Sequence, residues 1–201
     1  MNLDEAFAQT CSQEDIVDHM YLDTHRDLAG NPAGKVTIGP GIMLPNEVSA
    51  KMLAPRMLVR VDMDTTMPAP IDIVVTDFHA VALAPFGMTA EKYKPYTRSF
   101  LPEVQIRSLF DVEATKRIND LKIMIFHDFD SFPDPAQLAI FDMAWNMGVD
   151  KIRRGFPRFC QAVHVQDWKA AAAECHRDVS TEHGEARNVM TKALFLKAAT
   201  T

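Results

Sequence analysis

The chain has 201 residues, 47% of them hydrophobic and 24% charged, a balance that excludes a disordered, collagen-like or coiled-coil protein. Its 21 Lys and Arg against 27 Asp and Glu leave a formal charge of −6, the wrong sign for a chain held on nucleic acid mainly by counterion release, so no nucleic-acid partner is expected. The longest stretch without Asp, Glu, Lys or Arg, residues 78–90, is too short for a bilayer span, and no membrane insertion is expected.

The N-terminal run Met1-Asn2-Leu3-Asp4-Glu5 has neither the basic nor the apolar region of a signal peptide, which predicts synthesis in the cytoplasm without one. Along the chain, helices are predicted over 13–21, 46–57, 71–84, 102–127, 134–147, 156–165, 167–176 and 185–198, with Pro70, Gly148 and Gly184 punctuating ends. The clearest is 134–147, where Leu138, Phe141, Ala144 and Trp145 share a stripe while Ile140, Met143 and Met147 cover other faces. A helix apolar nearly all round is expected at the centre of a lobe. The one convincing β signal is 22–43: Gly30, Asn31, Pro32 and Gly34 mark a turn, and 35–38 reads as a strand. The expected fold class is α+β, a single domain over 1–201. A β-containing lobe at about 12–60 precedes a helical lobe at about 70–201, with a cleft at the join. The cysteines, Cys11, Cys160 and Cys175, lack Cys-x-x-Cys spacing, so they are read as thiols of a reducing compartment.

Chemistry concentrates near the N-terminus. If 13–21 is helical, Glu14 and Tyr21 stand two turns apart on one face, Asp23 follows in the loop, and Thr37 lies on the returning strand. Two carboxyl groups and a hydroxyl converging this way are the parts of a glycosidase, which needs one carboxylic acid and one carboxylate. The same spacing is also that of solvated surface charge. Asp142 and Asn146, four apart on the apolar helix, are either buried polar groups bracing the lobes or the floor of a cleft. Tyr93, Tyr96 and Arg98 form an aromatic and basic patch, read as a solvated loop or a surface for stacking sugar rings. His127, Asp128 and Asp130, or Asp62 and Asp64, lack the Gly and Glu that complete a calcium loop, and no metal is expected.

The order of these residues resembles a known family. Glu14, then Tyr21-Leu22-Asp23, then Val36-Thr37-Ile38-Gly39-Pro40-Gly41 resembles the active-site signature of the phage-type lysozymes, glycoside hydrolase family 24. Phe141 to Gly148 is similar to that family's central helix, and Asp167-Trp168 followed by Ala170 to Ala173 to its Trp-plus-Ala helix. Arg187 and Phe195 match its C-terminal Arg and Phe in spacing. The resemblance covers about 14–41 and 137–197. It implies a lysozyme-like fold in which Glu14 is the general acid, Asp23 holds the attacking water and Thr37 positions it, with inversion at the anomeric carbon. It further implies that Arg187 pairs with Glu14, and that Tyr21, Gly39, Gly41, Asp142 and Asn146 bind substrate or support the site. Two departures stand out: Asp15 where the family often has Gly, and Ile42 where it often has His. Asp23 and Thr37 are also farther apart than in short phage enzymes, residues 25–34 lying between them.

The implied activity is that of a muramidase, cutting the β-1,4 bond between N-acetylmuramic acid and N-acetylglucosamine with no cofactor. The long hairpin and the Pro-rich middle look more like the lysozyme-fold toxins of type VI secretion than like phage lysins. That resemblance implies a secretion-machine carrier, action in the periplasm or cell wall of a target cell, and a cognate immunity protein. A phage endolysin, a non-catalytic lysozyme-fold module that binds sugar or protein, and a helical adaptor are the alternatives.

Overall fold

A computed structural model describes residues 1–24, 31–178 and 182–201. The chain is α+β, mostly helical with small antiparallel sheets. Its contacts divide it into two compact units, Met1–Gln13 with Asp111–Thr201, and Glu14–Phe110. The boundaries fall directly after the first helix and inside a long one, rather than near residues 60 to 70. Local pattern could not find them, because the chain leaves the first unit at residue 13 and returns to it about a hundred residues later.

The unit formed by Met1–Gln13 and Asp111–Thr201 is helical. α1 (Leu3–Gln13) and the C-terminal part of α4 (Glu103–Met124) belong to it, followed by α5 (Asp134–Met147), α6 (Val149–Gly155), α7 (Pro157–His164), α8 (Trp168–Glu174) and α9 (Glu182–Ala198). α5 is buried from Ala136 to Trp145 except at Leu138, as its all-round apolar character predicts. Its end is set by Gly148, whose φ of +83° is open to glycine at little cost, and whose N–H bonds the Ala144 carbonyl at 2.9 Å. Around α5, Phe132 meets the Trp168 ring edge-on at 5.2 Å, and Trp168 stacks on Phe195 at 6.5 Å. Gly184 lies within α9 rather than at its start, and α6 was not predicted.

The Glu14–Phe110 unit carries the β structure. β1 (Val17–Leu22), β2 (Val36–Gly39) and β3 (Ile42–Leu44) form an antiparallel sheet in that order. β5 (Thr66–Pro68), β4 (Leu58–Arg60) and β6 (Ser99–Phe100) form a second, unpredicted one. α2 (Glu47–Leu53) and α3 (Ile71–Ala82) complete the unit with a 3-10 turn at Ala90–Tyr96. The helix expected over 13–21 is not formed. α1 stops at Gln13, and residues 17–22 pair with β2, Tyr21 opposite Thr37 and Leu22 opposite Val36. A register irregularity between Val17 and Tyr21 breaks the period-two alternation that marks a strand in sequence. No helix among the described residues is long and apolar enough to cross a membrane.

Candidate functional site

In the Glu14–Phe110 unit the ladder between β1 and β2 sorts side chains by face. Met20, Leu22, Val36 and Ile38 enter the apolar core. Because opposed residues share a face, Tyr21 and Thr37 fall together on the other side, Tyr21 still packing against the core's edge, and Asp23 follows directly after β1. Glu14, half-buried, sits in the bend between α1 and β1. The negative charges of Glu14, Asp23 and Asp15 all act on the Tyr21 hydroxyl. Burial first, and then those charges in that order, hold the Tyr21 proton far above the ordinary tyrosine range. Tyr21 is therefore a neutral hydrogen-bond donor at any physiological pH.

Lys35, through its backbone, is the hub that orders this face. Its carbonyl accepts from the Asp23 N–H at 3.0 Å and from the Thr37 hydroxyl at 2.9 Å. Its N–H donates to Asp23 Oδ1 at 3.1 Å. Asp23 thus extends the ladder one step with its main chain and fixes its carboxylate with its side chain. Thr37 is 3% exposed, and with its proton given to Lys35 the hydroxyl can meet a further group only as an acceptor.

Gly34 turns out to be part of this arrangement, where sequence marked only a turn. A Cβ placed on it would lie 2.2 Å from the Asp23 carbonyl oxygen and 3.0 Å from both Asp23 Oδ1 and the Phe86 ring. Only a residue without a side chain lets the backbone pass this close to Asp23. Gly30, and most of the 25–34 insertion, lie outside the described residues. Gly39 and Gly41, expected near substrate, make the turn between β2 and β3, with φ of +62° and +82°. Tyr93, expected in an exposed patch, is instead fully buried and donates its hydroxyl to the Pro85 carbonyl at 2.8 Å.

The other unit brings Asp142 and Arg187 together and adds a partner that sequence missed. Asp142 is 3% exposed; its Oδ2 accepts from Arg177 Nη1 and Thr191 Oγ1, and its Oδ1 from Arg187 Nε, each at 3.0 Å. Asn188 ties in the backbone by accepting from the Arg177 N–H and donating to the Arg177 carbonyl. Asp142 is thus a buried brace within a helical core. Asn146, four residues on, is exposed and does not share its environment. One further turn of α5 brings position 146 past the Asp142 network, and i, i+4 spacing alone does not reveal where a core ends. Arg177 carried no periodic cue, because it lies in irregular chain between α8 and α9.

Two of the acids named as metal alternatives are engaged locally. Asp62 Oδ1 accepts from the amides of Asp64 and Thr65, and Asp130 pairs with Lys122 at 2.7 Å. Compared with protein-family models and with curated proteins, the chain matches none.

Proposed function

We propose that the protein is a glycoside hydrolase of the phage-type lysozyme kind, a muramidase acting on the glycan strand of peptidoglycan. One observation carries the reading: Tyr21 and Thr37 are cross-strand partners and the Lys35 backbone bonds both Asp23 and Thr37, with Glu14 in the bend before the same strand. Glu14 would protonate the glycosidic oxygen. Asp23, oriented by the Lys35 amide, would hold the attacking water and face the positive charge that develops on the sugar. The Thr37 oxygen, acting as acceptor, would position that water. An acid and a carboxylate with a water between them invert the anomeric centre. A lysozyme-like fold, and action as a delivered antibacterial toxin matched by an immunity protein, belong to the same proposal.

A second reading, a non-catalytic lysozyme-fold module, is favoured by one observation: Thr37 is buried and its proton serves the ladder. Digestion of purified peptidoglycan by the wild-type chain, with mass spectrometry of the soluble fragments, separates the two. Muropeptides ending in reducing N-acetylmuramic acid support the muramidase. Anhydro-sugars or free peptides contradict the reaction, and no release with retained sedimentation on peptidoglycan supports the binding module.

A further inference from the structure

Away from the carboxylate face, the second sheet of the Glu14–Phe110 unit holds an arrangement that sheet electrostatics disfavours. β4 and β6 pair with Leu58 opposite Phe100 and Val59 opposite Ser99, and Arg60 and Arg98 flank the last of these pairs on the two chains. Like charges directly opposed across a ladder repel. Val59 and Ser99 are buried, and alternation puts Arg60, Arg98 and Phe100 together on the outer face. They border a cleft of about 150 Å³ that Lys94 and Thr97 also line.

The neighbouring acids do little to relieve this. Arg60 has no carboxylate partner among the described residues; its guanidinium lies over the Phe100 ring, 5.4 Å from the centroid. Arg98 Nε is 4.0 Å from Asp77 Oδ1, and Asp77 Oδ2 is taken by the Arg98 and Ser99 amides and the Ser99 hydroxyl. Lys94 meets Glu91 at 3.5 Å with both side chains exposed, a weak pairing. Asp18, the carboxylate in the cleft lining, has its Oδ1 2.8 Å from Nδ1 of the buried His19, whose Nε2 is 2.9 Å from the Ala90 carbonyl oxygen.

We propose that this cleft binds a compact oxyanion, a phosphate or carboxylate group, held between Arg60 and Arg98 with Lys94 as third cation. Planar guanidinium groups match such anions with two parallel N–H bonds each. A water occupies about 30 Å³ of liquid, so the cleft has room for the anionic head of a ligand and little more. The proposal is independent of the hydrolytic reading, and a catalytically dead chain would bind equally.

The test is calorimetric titration of the full chain at low ionic strength with inorganic phosphate and, separately, with glutarate. Wild type, Arg60→Gln, Arg98→Gln and a remote control, Arg153→Gln, are compared. Saturable binding is expected in wild type and control, weakened about tenfold or more in each cleft variant, as loss of a charge-assisted pair requires. Binding of phosphate alone assigns the cleft to phosphoryl groups, and of glutarate alone to carboxylates. Without anion, Arg60→Gln should melt no lower than wild type, because repulsion is relieved; with the bound anion, the melting temperature of wild type should rise more. Equal binding by all four proteins, or no saturable binding of either anion, overturns the site.

Discussion

The two units handle charge in opposite ways. In the helical unit a carboxylate and two guanidinium groups are sealed inside: Asp142, Arg177 and Arg187 are each under 5% exposed and bonded to one another or to Asn188 and Thr191. In the Glu14–Phe110 unit, the charges of Glu14, Asp23 and Asp15 bear on the Tyr21 phenol, and the backbone of Lys35 steadies Asp23. A buried pair is weak evidence of net stability but is costly to break by half. Like charges gathered at a half-buried face are the pattern expected where chemistry rather than packing sets the arrangement. The helical unit should therefore answer substitution with lost stability, and the other unit with lost activity.

The largest effect should come from Asp142→Ala, which removes the carboxylate that two buried guanidinium groups share. A loss of about 3–5 kcal/mol is expected, read by chemical denaturation. Trp168→Ala, removing a ring packed on Phe132 and Phe195, should cost a similar ~3–5 kcal/mol; a variant as stable as wild type would remove Trp168 from the core. Two glycines then set a close backbone approach beside open space. Gly34→Ala forces a Cβ into the Asp23 carbonyl, and about 1–3 kcal/mol of stability should go together with peptidoglycan release. Gly155→Ala, where a Cβ meets nothing within 4 Å, should be neutral or stabilise by about 0.4–1 kcal/mol. Equal losses at both positions would show that the close approach of Gly34 to Asp23 does not set its cost.

The smallest effect is a titration. Tyr21 holds its proton more tightly folded than unfolded, so the stability it contributes is fully present below about pH 10, the ordinary phenol value, and is lost as pH rises toward the folded one. Phenolate absorbance, with Tyr21→Phe as reference, should show ionisation delayed beyond pH 10. Glu14→Gln should advance it by removing one of the charges.

The helical core was largely legible because its cue is local: α5 is apolar on every face, and residues 134–147 form the helix that the pattern predicts. The strand carrying Tyr21 was not, because a register irregularity hides its alternation and its partner lies beyond residue 35. That residues 17–22 form a strand replaces the reason for proximity: Tyr21 and Thr37 are cross-strand partners, and Glu14 lies in the bend before that strand. Gly34 and Arg177 were invisible for a different cause. Each matters through one tertiary contact, to Asp23 and to Asp142, and neither contact leaves a periodic trace. The pairing of β4 with β5 and β6 was missed because the strands are two or three residues long.

The most direct measurement sets Glu14→Gln beside wild type in peptidoglycan digestion and in thermal melting. The general-acid role of Glu14 requires that the variant release no muropeptides while melting as wild type does, since the two side chains have the same shape. Release at the wild-type rate by Glu14→Gln would contradict it.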